Sequence, residues 1–141
     1  MASPVNRVKR TTLPRSTCVS LLANADFARV VISVRCLPAA LPARIGHVDD
    51  QHLLLASTEE AVIVAARRGD VLSVQIDGLE SDNATWSVMA SGIAHDASRE
   101  VPDDLSATLS SALEAGAGLI SLPLTILVGA RVGGARGIAD L

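Results

Sequence analysis

Aromatic side chains are almost absent from this 141-residue chain, which holds one phenylalanine, one tryptophan and no tyrosine. Surfaces that stack nucleic-acid bases need several aromatic rings, so a stacking platform of that kind is excluded. Positive charge is also scarce, because 12 basic residues face 15 acidic ones and the net charge is −3. Binding to nucleic-acid phosphates needs a basic surface, so we expect no nucleic-acid partner.

Lysine occurs once, as Lys9, and the remaining basic residues are arginines. A lysine this close to the N-terminus is a poor candidate for Schiff-base chemistry or for the lysine of a phosphate-binding P-loop. The preference for arginine, together with frequent alanine, is typical of GC-rich bacterial genomes. We therefore expect a bacterial protein.

Cysteine is limited to Cys18 and Cys36, too few for a structural zinc site or a disulfide framework. Reduced thiols suit the cytoplasm. Asp26 and Arg29 interrupt the one candidate signal sequence. The uncharged stretch 116–130 is shorter than the ~20 residues that a membrane-spanning helix needs, and it contains Pro123. We expect a cytoplasmic protein with no membrane partner.

Apolar residues make up 49% of the chain, which is enough for a folded core. Apolar periodicity predicts three helices among six strands, most of them joined by tight turns. This order is typical of a mainly β (α+β) antiparallel barrel rather than a doubly wound sheet. The predicted helices begin near Ser16, Ser57 and Pro102, and the predicted strands are Arg29–Arg35, Leu41–Val48, His52–Ser57, Val71–Ile76, Trp86–Ala94 and Leu124–Val132.

The segment 57–69 carries the most consistent local signals. Ser57 and Glu60 have the spacing of a capping box, and Gly69 suits the C-terminal cap. The segment therefore predicts a short helix that follows a strand directly.

Histidines offer one alternative site. His47 and His52 could face each other across the predicted hairpin, with Asp49 and Asp50 near them. A metal site would need this group to point inward, but His52 lies at a turn. We expect solvated turn residues and no metal.

Three segments of the chain carry motifs in a characteristic order. Residues 16–45 (STCVSLLANADFARVVISVRCLPAALPARI) are similar to the opening helix, acidic loop and first two strands of the pyridoxamine 5′-phosphate oxidase-like family with the FMN-binding split-barrel fold. Residues 85–96 (TWSVMASGIAHD) resemble its strand with Trp-Ser-Val and Gly-x-Ala, and residues 126–138 (ILVGARVGGARGI) resemble its closing strand.

The resemblance implies a six-stranded antiparallel split β-barrel with short flanking helices. It places a split-barrel, FMN-binding-like domain over residues 13–141, after a flexible basic arm of residues 1–12. It further implies a homodimer with ligands in the interface clefts, and a small oxidoreductase that uses FMN or a deazaflavin on a small-molecule substrate.

The residues that match the family's phosphate site are Arg44, Ser57 and Thr58, and Trp86 could cover an edge of the flavin. Read without the resemblance, Arg44 is an exposed arginine lying over the sheet, and Trp86 is a core or interface anchor. No catalytic residue is identified.

One departure from the family pattern leaves two alternative functions open, with and without FMN binding. Where the family often has lysine at the start of the helix, this chain has Glu59, Glu60 and Ala61. Carboxylates there repel a bound phosphate. The alternative function is a split-barrel binding or regulatory protein that has lost FMN binding.

Overall fold

The computed structural model of the protein describes residues 9–133. Its helices are α1 (Arg15–Ala23), α2 (Glu60–Arg68) and α3 (Ala107–Glu114). Its strands are β1 (Arg10–Thr12), β2 (Phe27–Val34), β3 (Leu37–Val48), β4 (His52–Ser57), β5 (Val71–Leu79), β6 (Thr85–Ile93), β7 (His95–Asp96), β8 (Gly118–Pro123) and β9 (Ile126–Val132). They form one antiparallel sheet in the order β1-β9-β6-β5-β2-β3-β4-β8-β7.

The main core lies on the inner face of this sheet. Alternation along β2 buries Ala28 and Val30, and the register sets Val30 opposite Val74 of β5, which in turn faces Ala90 of β6. Successive strand residues point to opposite faces, so each strand gives the core every second side chain. The mainly β, antiparallel barrel class predicted from the sequence is confirmed.

Curling of the sheet brings together strands that are not hydrogen-bonded neighbours. A Cβ built on Gly92 of β6 would lie 2.5 Å from the carbonyl oxygen of Pro123 at the end of β8. The backbones of β6 and β8 therefore approach each other at this point, which only glycine allows. This contact joins two strands that lie far apart in the strand order of the sheet.

A second, smaller core lies on the other face of β4. Leu53 and Leu55 point into the main core, whereas Ala56 packs with Leu109 of α3 and Leu119 of β8. Helix α2 adds its buried residues Val62, Ala65 and Ala66 to the main core. Both faces of β4 are thus covered, which holds the C-terminal end of β4 in place.

The strand count differs from the prediction, since the described chain has nine strands rather than six. The predicted last strand, Leu124–Val132, is in fact β9, and the preceding apolar residues form a separate strand, β8. β8 pairs with β4, whereas β9 pairs with β6. A chain that turns after Pro123 can bury one continuous apolar run in two places, which periodicity alone does not reveal.

From the sequence, Pro38 is expected to open the turn before the second predicted strand and Pro102 to begin the third helix, and the structure corrects both boundaries. The turn between β2 and β3 lies at Arg35 and Cys36, which both have positive φ, whereas Pro38 lies inside β3. The third helix begins at Ala107 instead of near Pro102, because Ser106 caps it by accepting a hydrogen bond from the Leu109 N–H at 3.2 Å.

The predicted N-terminal arm falls partly outside the described residues, which begin at Lys9. Its last three residues, Arg10–Thr12, form β1 and pair with Ala130–Val132 of β9. Within residues 9–133, no helix is both long and apolar enough to span a bilayer.

Candidate functional site

The end of β4, the adjacent part of β3 and the start of α2 contain three predicted site residues that are close together along the backbone. Because Arg44 is paired with Ala56 and successive strand residues point to opposite faces, the side chains of Arg44 and Ser57 lie on opposite faces of the sheet. Arg44 of β3 lies directly opposite Ala56 of β4, one residue before Ser57 and two before Thr58. The side chains of Arg44 and Thr58 are exposed, whereas Ser57 is only 3% exposed. We call Arg44, Ser57 and Thr58 the anion cluster.

Ser57 is fixed by a local hydrogen bond. Its Oγ accepts from the backbone N–H of Glu59 at 3.0 Å, so its own hydroxyl proton remains able to donate. The predicted capping box is wrong in detail, since Glu59 occupies the N-cap position of α2 without a side-chain cap bond. The C-terminal cap is confirmed, because Gly69 has φ 72°.

The start of α2 presents both attraction and repulsion to an anion. The N–H groups of Glu60 and Ala61 lie in its first turn, where a helix offers no internal acceptor and the positive end of its dipole. Glu59 is half-buried and Glu60 is exposed. Solvent screens an exposed carboxylate, so the two glutamates weaken the attraction of the anion cluster for a negatively charged ligand but do not abolish it.

An aromatic residue that the sequence analysis did not single out borders the anion cluster. Phe27 begins β2 directly opposite Arg44, and 46% of its surface is exposed. The guanidinium carbon of Arg29, two residues along β2, lies 5.6 Å from the centre of the Phe27 ring. This is cation–π geometry. The one sequence feature that indicates the exposure of Phe27 is its spacing from Arg29. Residues two apart on a strand point to the same face, so Phe27 lies on the outer face with Arg29.

Trp86 lies elsewhere on the sheet. It belongs to β6, and the strands β3, β2 and β5 lie between it and Ser57 of β4. A Cβ on Gly78 would lie 2.5 Å from the Trp86 indole, so glycine makes room for this ring. The indole borders an open cavity of about 390 Å³, whose lining residues are Asp77, Gly78, Leu79, Thr85, Trp86, Ser87, Ala130 and Val132.

An ion-pair network links the ends of β5, β6 and β9 beside Trp86. Arg131 of β9 donates to Glu80 at 2.9 Å and to Asp82 at 2.7 Å. The backbone N–H of Ala84 and the Arg131 guanidinium hold the pKa of the Asp82 carboxyl below its usual value. The network ties the β5–β6 loop to β9 and thereby fixes one end of the cavity.

The histidines lie around the β3–β4 hairpin turn. His47 Nε2 is 3.8 Å from Asp49 Oδ2, and both side chains are about half exposed. Backbone N–H groups of Gln51 and His52 lower the pKa of Asp49, whose carboxylate closes the turn. Within residues 9–133, no three metal-ligating side chains lie close enough together to hold a metal ion.

The outer face of β2, β5, β6 and β9 is exposed and partly apolar. Val31, Met89, Ile126 and Val128 project from it in adjacent rows, with between 36% and 58% of each exposed. Ser73 and Ser91 lie between them and satisfy each other through an Oγ–Oγ hydrogen bond of 2.7 Å. Such a contiguous patch is typical of an interaction surface.

Comparison with known proteins adds independent information. The profile of the family described as "Pyridoxamine 5′-phosphate oxidase" matches residues 14–116. An uncharacterized protein of Mycobacterium tuberculosis is 33% identical over 102 residues, which cover 69% of this chain and 67% of that protein.

Solved structures of low sequence identity share the fold. A FAD-binding protein from Mesorhizobium loti superposes with a TM-score of 0.71 at 19% identity, over 89% of this chain and 98% of that one. A FAD-binding protein from Mycobacterium smegmatis gives 0.62 at 20% identity, over 87% and 98%.

Proposed function

Since this chain belongs to the pyridoxamine 5′-phosphate oxidase family, we propose that it is a flavin-binding protein that acts as a homodimeric oxidoreductase. The flavin, FMN or FAD, would place its phosphate in the anion cluster. Two solved structures of the same fold are FAD-binding proteins, which favours a flavin over a deazaflavin. Free Cys18 and Cys36 suit the cytoplasm, where we place the protein.

The observation that supports this proposal is that Arg44, Ser57 and the first turn of α2 lie within a few residues of one another along paired strands. A guanidinium, a hydroxyl and unpaired backbone N–H groups are donors that suit phosphate oxygens. Ser57 is already oriented by its bond with the Glu59 N–H. The donor set therefore fits a flavin phosphate.

In this function the chain binds and orients, and a bound flavin supplies the hydride transfer. Arg44 and Ser57 would hold the phosphate, and the rigid end of β4 would keep them in register. The anion cluster contains no histidine or other obvious proton donor, so the protein's part in the reaction is positioning.

The glutamates at the start of α2 favour a second candidate function. Glu59 and Glu60 repel a phosphate that the rest of the anion cluster attracts. A split-barrel binding or regulatory protein that has lost flavin binding would retain the fold and discard the cofactor. Flavin binding itself separates the two candidates.

The direct test is the visible absorbance and thermal stability of the purified protein. We expect flavin bands in the preparation, or a melting temperature that rises when FMN or FAD is added to colourless protein. At a flavin concentration 100 times the Kd, stabilisation of about 2.7 kcal/mol raises the melting temperature by roughly 9 °C. A colourless protein with no shift for either flavin would support the second candidate.

The homodimer has its own test, since the exposed outer face of β2, β5, β6 and β9 suits a second copy of the chain. Val128 of β9 is 54% exposed and pairs with Met89 of β6 on that face. We expect Val128→Arg to convert a dimer into a monomer in light scattering, because an interface cannot bury two unpaired guanidinium groups without a large cost. Val101→Arg, at an exposed position in the loop before α3, is the control and should remain a dimer. A wild-type protein with the mass of a single chain would refute the assembly.

A further inference from the structure

Exposed apolar side chains are concentrated on the outer face of β2, β5, β6 and β9. Of the ten large hydrophobic side chains that are exposed in residues 9–133, eight point outward from this face, two from each of the four strands. The other two, Leu37 and Val101, lie at the start of β3 and in the loop before α3. Because apolar surface is unfavourable in water, such a concentration is typical of a surface that contacts another protein.

The outer face carries one charge of each sign. Among the outward-pointing residues of these four strands, Arg29 of β2 is basic, Asp77 of β5 is acidic, and the others are uncharged. Both charged side chains are exposed. Burial of an unpaired charge is strongly unfavourable, whereas a paired charge is tolerated. A partner that covers this face must therefore present an acidic group to Arg29 and a basic group to Asp77.

Within the chain an uncharged amide separates the two charges. Gln75 of β5 lies directly opposite Arg29, and its Nε2 donates to Asp77 Oδ2 at 3.0 Å. The Arg29 guanidinium carbon lies 5.6 Å from the centre of the Phe27 ring. Among residues 9–133, neither Arg29 nor Asp77 forms an ion pair. Both charges are thus available to a second molecule.

A second copy of the chain supplies both of the missing charges. In an isologous dimer the same patch of each copy faces its counterpart across a two-fold axis. Arg29 and Asp77 lie on the paired strands β2 and β5, and Asp77 is two residues beyond the residue opposite Arg29. An axis perpendicular to the face and midway between the two residues exchanges their positions, so each arginine lies over the aspartate of the other copy. The outer face is therefore complementary to itself in charge.

We propose that Arg29 of each copy forms an ion pair with Asp77 of the partner subunit, and that these two symmetric pairs determine how one copy recognises another. The inference rests on the homodimer proposed above and adds the contacts that orient it. Apolar burial drives association but is non-directional, whereas paired charges fix the orientation and exclude wrong partners.

Charge reversal tests the ion pairs, with the dissociation constant of the dimer measured by light scattering over a dilution series. Arg29→Glu or Asp77→Arg alone places like charges together at both contacts. Each variant should raise the dissociation constant at least about 100-fold, because each contact loses about tenfold. An equimolar mixture of the two variants should form dimers again, since both contacts of the mixed dimer join opposite charges. The double variant Arg29→Glu/Asp77→Arg should also form dimers.

Two control variants make the result specific. Arg35→Glu in the β2–β3 turn and Asp103→Arg in the loop before α3 introduce the same changes of charge at exposed positions outside the outer face, and should leave the dissociation constant unchanged. Circular dichroism checks that each variant is folded. An unchanged dissociation constant in either single variant, or monomers in their mixture, would overturn the ion pairs while the homodimer stands. Wild-type protein with the mass of a single chain would overturn both the ion pairs and the homodimer.

Discussion

Arg44→Ala is expected to weaken flavin binding at least about tenfold. Hydrogen bonds to a charged group contribute about 1.5–3 kcal/mol each, and about 1.4 kcal/mol corresponds to a factor of ten in Kd. Arg44 is exposed, which places the effect toward the lower end of that range. The same exposure means that the fold should be unaffected. Titration of flavin fluorescence measures the change for FMN and FAD alike.

A matched pair of variants tests where the phosphate lies. Arg67→Ala removes a similar charge from the last turn of α2, where the guanidinium lies 3.5 Å from Asp96, and should leave flavin affinity unchanged. Glu60→Lys replaces repulsion with attraction in the first turn and should raise affinity for either flavin several-fold. Unchanged affinity in Glu60→Lys would show that the phosphate does not lie beside α2.

Gly92→Val is expected to destabilise the fold by about 3 kcal/mol, as overpacking against a fixed neighbour does. The atom that the new side chain would meet is the backbone carbonyl oxygen of Pro123, at 2.5 Å from the Cβ position. A backbone oxygen cannot swing aside as a side chain can, so β6 and β8 would have to separate. Urea unfolding followed by circular dichroism measures the free energy of unfolding.

The neighbouring residue provides the control for this prediction. Ile93 is 52% exposed, and Ile93→Ala should change the free energy of unfolding by less than about 0.5 kcal/mol, since it removes surface contacts only. A loss in Gly92→Val no larger than in Ile93→Ala would mean that the two strands do not meet at Gly92. Gly92 also belongs to the Gly-x-Ala segment that resembles the family. The close approach of the Pro123 carbonyl oxygen explains why this position has no room for a side chain.

Elements with strong local signals were predicted well from the sequence. Helix α2 lies within the predicted segment 57–69, and Gly69 adopts the left-handed conformation expected of its C-terminal cap. The hairpin of β3 and β4 has the predicted turn, and the alternation of its first strand buries Ala43 and Ile45 on the face opposite Arg44. In each case neighbouring residues carry the information, so periodicity and capping residues suffice.

The candidate site was predicted only in part. The resemblance selected Arg44, Ser57 and Thr58, which the pairing of β3 with β4 places close together along the backbone but with Arg44 and Ser57 on opposite faces of the sheet. Trp86 lies several strands away, and its contact with a flavin stays a prediction. Phe27 was not selected, because its place beside Arg44 depends on the pairing of β2 with β3.

The sequence by itself determined the class of fold, the family and the residues that can attract a phosphate, since alternation, composition and short motifs are local properties. Only the tertiary structure decided that the apolar run 116–130 divides between two distant strands, that Gly92 meets Pro123, and that Phe27 lies opposite Arg44. These contacts join residues far apart in the chain, and strand order and register fix them. Burial of the whole core selects that register, because a shift of one residue would turn every apolar side chain to the wrong face.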